Sequence, residues 1–197
     1  HLSIRRQRQM CIRDSGSASS DSILGDAGAN ILDGSLGNNT IVGGAGNDTV
    51  IASTGVDSLA GGIGDDSIIG GTGTDWASYG AASGAVTVDL RATVPNAIGA
   101  EGNDTLSGIE NIQGSNFNDL LIGDSLVNSL DGGAGDDTLV GGLGREGHQG
   151  GLGNDSIVGG ADTYDWITFH GASGSVTVDF AAGTTSGAHG NLSLIHI

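Results

Sequence analysis

Large aliphatic residues recur at every ninth position along two stretches of this chain. In the first stretch they are Leu32, Ile41, Val50, Leu59 and Ile68, with Ala77 in sixth place. In the second they are Leu121, Leu130, Leu139 and Ile157, with His148 filling the fourth position. Each aliphatic sits between two more variable residues, as in Thr49-Val50-Ile51 or Thr138-Leu139-Val140. A three-residue strand of that kind sends one side chain inward and two outward. The six residues between strands are rich in glycine and predict a tight turn. No segment of the repeats carries a helical period.

The full unit reads G-G-x-G-x-D-x-U-x, where U is the large aliphatic. Gly43-Gly44-Ala45-Gly46-Asn47-Asp48-Thr49-Val50-Ile51 and Gly61-Gly62-Ile63-Gly64-Asp65-Asp66-Ser67-Ile68-Ile69 follow it closely. Six units run from Gly25 to Ser78 with no residue inserted or lost. The two stretches match each other at an offset of 89, pairing Gly25 with Gly114, Asp48 with Asp137 and Asp66 with Asp155. After Gly159 the offset is 90, which pairs Asp75-Trp76 with Asp165-Trp166. The predicted organisation is a first repeat array over 16–78, a connecting β segment over 79–113, a second array over 114–166 and a second, truncated connecting segment over 167–191. In both connecting segments, strand-like alternation marks Val86-Thr87-Val88-Asp89-Leu90 and Val176-Thr177-Val178-Asp179-Phe180. The ends share nothing with the repeats. Residues 1–15 and 192–197 resemble translated sequencing-adapter read-through and are expected to be a non-native leader and tail.

Stacking turns this pattern into chemistry. If two units make one turn of a flattened coil, units i and i+2 lie about 4.8 Å apart on the same side. Asp48 then stands over Asp66, Asp57 over Asp75, Asp119 over Asp137 and Asp137 over Asp155. Unscreened carboxylates at that spacing repel, and a divalent cation between the turns removes the conflict. Ca²⁺ suits the donors, because it accepts six to eight oxygens in flexible geometry, from carboxylates and backbone carbonyls alike. Mg²⁺ demands a stricter octahedron, and zinc or copper would call for Cys or clustered His. The candidate ligands are Asp48, Asp57, Asp66, Asp75, Asp119, Asp137, Asp155 and Asp165. Asn30, Asn39 and Asn128, with less charge at the same position, make weaker sites. Gly44, Gly46, Gly62, Gly64, Gly133 and Gly135 contribute turn carbonyls. The unit from Gly141 to Gln149, with Glu146 for Asp and His148 for the aliphatic, reads as decayed, and the histidines read as solvated or incidental.

Composition agrees. The chain has 39 Gly in 197 residues, one Pro, no Lys and seven aromatics, too few to fill an ordinary globular core. Between Gly16 and Asn191 there are 22 acids against two bases, a net −20. That field disfavours nucleic acid and anionic membrane and attracts cations. The single cysteine, Cys11, excludes an internal disulfide, and no apolar stretch is long enough to span a bilayer. No catalytic motif is present, so the segment itself is expected not to be an enzyme. Trp76 and Trp166, at equivalent places where each array ends, read as packing residues.

The repeats resemble the repeats-in-toxin (RTX) family, also called hemolysin-type calcium-binding repeats. The resemblance covers about 110 residues and implies an all-β fold, a parallel β-roll (a right-handed β-helix or solenoid), with several Ca²⁺ ions held between successive turns. It also implies a secreted, extracellular protein of a Gram-negative bacterium, exported by a type I machinery. The expected function is calcium binding coupled to folding outside the cell. The alternatives are an accessory C-terminal region of a secreted RTX protease, lipase or toxin, and the repeat region of a large adhesin.

Overall fold

The computed structural model describes residues 13–92, 95–160, 164–170, 176–179, 184–187, 190 and 192–195. Among them are strands and no helix, hence no helix long and apolar enough to cross a membrane. The first array gives β1 (Arg13–Ser15), β2 (Ser22–Leu24), β3 (Ile31–Asp33), β4 (Thr40–Ala45), β5 (Thr49–Gly55), β6 (Ser58–Ile63), β7 (Ser67–Gly73) and β8 (Trp76–Ser78). The connecting segment gives β9 (Val86–Asp89), β10 (Ala97–Gly99), β11 (Gly102–Ser107) and β12 (Asn111–Gln113). The second array follows with β13 (Leu120–Ile122), β14 (Ser129–Asp131), β15 (Thr138–Val140), β16 (Gly147–Gln149), β17 (Ser156–Val158) and β18 (Trp166–Ile167). Then come β19 (Val176–Asp179), β20 (Thr184–Gly187) and β21 (Leu192–Ile195).

These strands build two sheets, so the fold is an all-β solenoid of parallel coils, as expected. One sheet runs β2-β4-β6-β8-β12-β14-β16-β18 without a break, one strand for each of eight coils. The other runs β1-β3-β5-β7-β11-β10-β9-β13-β15-β17-β21-β20-β19. Within the arrays, neighbours in a sheet are parallel and 18 residues apart, as Val50 pairs with Ile68, Ile41 with Leu59 and Leu121 with Leu139, until the last pair, Gly147 with Trp166, where the separation is 19. Two nine-residue units therefore make each turn.

The stacking does not stop at the connecting segment. β11 lies on β7, with Leu106 beside Ile68, and β12 lies on β8, with Ile112 beside Ala77. Only β9 and β10 are added, in antiparallel pairing, and β9 then carries β13. Ahead of the six units, Gly16–Leu24 forms a further nine-residue unit, with Ile23 buried and paired with Ile41. The predicted leader lies outside the described residues except for Arg13–Ser15, which pair in parallel with β3. Of the predicted tail, Leu192–Ile195 pair in parallel with β17.

Every predicted inward position is buried, from Leu32 through Ile157, and each is at most 1% exposed. The core is two facing columns of single side chains. His148 is buried too, in line between Leu130 and Ile167; this corrects its reading as a solvated residue. The strand alternation puts it inside whatever its chemistry. Trp166 lies across Gly147 on the outer face of the sheet, where the glycine leaves room for the indole.

Glycine at the second position of a unit is a backbone requirement. Gly62 has φ 100°, and a Cβ there would collide with the carbonyl of Gly44 in the preceding coil. Serine takes this position at Ser17, Ser35, Ser53 and Ser115, and among the described residues Ser35 and Ser53 are the non-glycine residues with positive φ, 65° and 78°. Opposite outcomes are expected at the two kinds of site. Gly62→Ala should cost about 2 kcal/mol or more, whereas Ser53→Gly should add about 0.5–1 kcal/mol. Urea unfolding of each variant against the parent chain measures both.

Candidate metal centre

The sixth position of each unit points its side chain into the turn, just ahead of the inward aliphatic. On the edge leading into the larger sheet, the Asn30 N–H donates to Asp48 Oδ1 (2.7 Å), the Asp48 N–H to Asp66 Oδ1 (2.7 Å) and the Asp66 N–H to Asp104 Oδ1 (3.0 Å). Beyond the added strands the same edge continues: the Val86 N–H donates to Asp119, Asp119 to Asp137 and Asp137 to Asp155, at 2.8, 2.8 and 3.0 Å. On the opposite edge, N–H groups of Asp21, Asn39, Asp57 and Asp75 donate in turn to Asn39, Asp57, Asp75 and Glu110, at 2.9, 2.6, 2.9 and 2.9 Å. Further along, the Glu146 N–H donates to Asp165 Oδ1 at 3.1 Å. The predicted stacking of Asp48 on Asp66, Asp57 on Asp75, Asp119 on Asp137 and Asp137 on Asp155 is present.

One carboxylate oxygen is thus spent on the neighbouring coil, and the other decides the chemistry. Oδ2 of Asp48, Asp57, Asp66, Asp75, Asp137 and Asp165 is buried with no hydrogen-bond partner, and so are both oxygens of Glu146. Burial without a partner is costly for any polar atom and more so for a charged one. At Asp48, Asp66, Asp75 and Asp137 the space beside these oxygens is formed by the first glycine of the same unit, while the unit of Asp57 has Ala52 there. A Cβ at Gly70 would stand 2.8 Å from Asp75 Oδ2, and one at Gly43 would strike both Asp48 Oδ2 and the Gly61 carbonyl of the next coil. A carboxylate oxygen and a backbone carbonyl from adjacent coils therefore share a cradle that glycine keeps open. Gly44, Gly46, Gly62, Gly64, Gly133 and Gly135 all have positive φ and abut the backbone of the coil before.

Burial raises the carboxyl pKa values, and neighbouring acids raise them further. Asp75 is pushed up to about 6, by burial and then by the charges of Asp57 and Glu110. Asp137 is pushed up to about 7, by burial and then by Asp119 and Asp155. Asp48 and Asp66 are raised chiefly by burial. Glu146 is raised by burial and by Asp165, while burial lowers His148.

Other members of the columns differ. Asp119 has both oxygens engaged, Oδ2 by the Ser115 N–H (2.6 Å) and Oδ1 by the Ser115 hydroxyl (2.8 Å) and the Val86 N–H. Asn30 and Asn128 accept from the N–H of Asp26 and Asp124 in their own turns, both at 2.8 Å. Asp104, Glu110 and Asp21 stand in the columns although sequence reasoning did not pick them. The signal was available for Asp104: Asn103-Asp104-Thr105-Leu106 repeats the pattern of Asn47-Asp48-Thr49-Val50. For Glu110 it was hidden by a shortened turn, Gly108-Ile109. A second ladder was also missed. Fifth-position side chains accept from the following coil, as in Asp65 N–H to Asn47 (3.3 Å) and Asp136 N–H to Asn118 (2.9 Å).

Among the described residues no three His, Cys, Asp or Glu side chains form a ready-made metal cluster. The donor set is instead carboxylate oxygens supplemented by glycine carbonyls, which fits a hard cation of high coordination number such as Ca²⁺ and not zinc or copper. Comparison with curated proteins gives no match. The family model described as RTX calcium-binding nonapeptide repeat (4 copies) matches residues 15–50, 51–82, 105–125, 113–145 and 149–163, which is more than half of the chain. With that coverage, and with stacked coils whose buried carboxylate oxygens face glycine carbonyls, this chain belongs to the RTX calcium-binding nonapeptide repeat family, whose repeats bind Ca²⁺.

Proposed function

We propose that this chain is a calcium-dependent β-roll whose folding is completed by the ions it binds. The observation that carries this reading is the row of buried, partnerless second oxygens at Asp48, Asp57, Asp66, Asp75, Asp137 and Asp165. These residues, together with Asp155 and the glycine carbonyls of their turns, would hold the ions. When bound, Ca²⁺ supplies the positive charge and the oxygen coordination that the protein lacks at these points. The protein contributes placement: each carboxylate is fixed by an N–H from the neighbouring coil, and at Asp48, Asp66, Asp75 and Asp137 glycine keeps the cradle open.

The same electrostatics supports a secreted protein. With a net −20 over residues 16–191, the ion-free chain repels itself and favours expanded states. Extracellular modules bind Ca²⁺ with dissociation constants of about 10⁻⁴–10⁻³ M, so the roll would stay open in a calcium-poor cytoplasm and close outside. Export through a type I machinery and a Gram-negative source are part of this proposal.

Titration calorimetry and far-UV circular dichroism test it. Adding a few millimolar Ca²⁺ should bring heat of binding and a gain of β signal, both reversed by chelator; no uptake would defeat the reading. Asp66→Asn, which removes a charge from a buried seat, should move the calcium midpoint upward by roughly tenfold, about 1.4 kcal/mol of lost binding.

Protons should act in the opposite direction to pH-independent packing. Asp75 and Asp137 carry folded-state pKa values of about 6 and about 7, above the unfolded value near 4. The folded, ion-free chain therefore binds more protons than the unfolded one between those limits. That contribution is fully present below about pH 4 and is lost as pH rises through 6 to 7. Denaturant unfolding of calcium-stripped protein should accordingly give higher stability at pH 5 than at pH 7.5, and saturating Ca²⁺ should remove or invert the difference.

A further inference from the structure

The partnerless oxygens are not spread evenly. They occur at Asp48, Asp57, Asp66 and Asp75 on one side of the connecting segment, and from Asp131 onward on the other. Between residues 79 and 128 the described residues include no buried side-chain nitrogen or oxygen without a partner. Yet this stretch buries Asn96, Asp104, Asn111, Ser115, Asp119 and Asn128. Protein groups do here what the arrays leave undone.

The partners are specific. Asp104 Oδ1 takes the Asp66 N–H, and its Oδ2 accepts from the Tyr79 hydroxyl at 3.0 Å, the oxygen that stays bare in Asp48 and Asp66. Asn96 closes a two-way bridge with Leu106, Nδ2 to the carbonyl at 3.0 Å and N–H to Oδ1 at 2.6 Å. Asp119 is enclosed by Ser115 and the Val86 N–H, and Asn128 by the Asp124 N–H and the Glu110 carbonyl. The pairing of β9 with β10 and of β10 with β11 is antiparallel and local in sequence, so it forms with little loop-closure cost. Val86, Val88, Ala97, Leu106 and Ile112 fill the interior there.

We propose that residues 79–128 form an ion-independent block inside the roll, which stays folded without calcium and on which the flanking arrays order when calcium arrives. The Tyr79 hydroxyl holds at Asp104 the place that an ion takes on other coils, and the second-position residues Ser115 and Asp124 do the same at Asp119 and Asn128. The same kind of closure recurs at Ser17 on Asp21 (N–H to Oδ2, 2.5 Å) and at Asp26 on Asn30, whereas Ser35 turns back to Asp33 and the unit of Ser53 leaves Asp57 Oδ2 bare. Gly-Gly openings, as at Gly43, Gly61, Gly70 and Gly132, leave the carboxylate bare for an ion.

The inference rests on the calcium reading for the arrays, and amide hydrogen exchange of the full chain separates the two. In excess chelator, amides of Val88, Ile98 and Leu106 should exchange at least about tenfold more slowly than those of Val50, Leu59 and Leu139, and Ca²⁺ should slow the latter group selectively. Tyr79→Phe leaves Asp104 Oδ2 bare, and should cut the chelator-resistant protection of the block about tenfold while Ca²⁺ still protects the arrays. Tyr164→Phe, outside the block, should leave that protection unchanged. If block and arrays lose protection together in chelator and regain it together with Ca²⁺, the block is not independent and the inference falls, while calcium binding stands. If the arrays show no response to Ca²⁺, the calcium reading falls as well.

Discussion

The contact on which this roll depends is a carboxylate shared unequally between coils. At Asp48, Asp57, Asp66, Asp75 and Asp137 one carboxylate oxygen accepts the backbone N–H of the neighbouring coil, which fixes both its place and the coil spacing. The other oxygen is carried into a closed turn with nothing of the protein's own to meet it. The hydrogen bond makes the burial geometrically unavoidable, since an acid held by one oxygen cannot swing its second oxygen to solvent. The proposed coupling of stability to ion binding rests on this one arrangement. The glycine pattern follows from it, because a side chain at the first position would fill the cradle and one at the second would strike the coil before.

Much of this was legible in the chain. The nine-residue period fixed the inward positions and the 18-residue pairing, because a three-residue strand has only one inward side chain and turns of equal length must stack in register. The partners of Asp48, Asp57, Asp119 and Asp137 followed directly. What was not legible depended on breaks in the period. Glu110 was masked by the shortened turn of Gly108-Ile109, and Asp104 by a segment that looks like a plain hairpin. His148 looked like decay, yet its place in the strand forces it into the core between Leu130 and Ile167. Position dictates burial here more strongly than polarity does. The fifth-position ladder was also invisible, since an Asn or Asp at a variable position reads as a solvated turn residue until the coils are seen stacked.

The connecting segment illustrates how a repeat fold absorbs an insertion. On the continuous sheet β12 alone separates β8 from β14, while on the other sheet β11, β10 and β9 separate β7 from β13. Two extra strands on one side interrupt the column of sixth-position residues between Asp104 and Asp119. The chain answers at that point with larger and fully bonded groups. The Tyr79 ring and its hydroxyl reach Asp104, and the Val86 N–H stands in for the missing sixth-position residue beneath Asp119. The added strands also carry their own interior, through Val86, Val88 and Ala97.

This difference in how polar groups are satisfied implies a difference in cooperativity. In a solenoid each coil touches only its neighbours, so stability is close to a sum of coil terms and nearest-neighbour terms. Where the neighbour term includes an ion, it vanishes when the ion does. Where it is a tyrosine hydroxyl or a serine, it persists. A roll made wholly of the first kind would have to nucleate afresh whenever calcium returned, against its own charge. Placing one segment of the second kind between two arrays gives each a formed edge to grow on: β11 for the strand of Ile68 and β13 for that of Leu139. The Gly-Ser and Gly-Asp turns that open each array serve the same end, because the coil nearest an edge has an ion-free partner on one side only. The departures from the nine-residue consensus are thus better understood as boundary conditions of the array than as its errors.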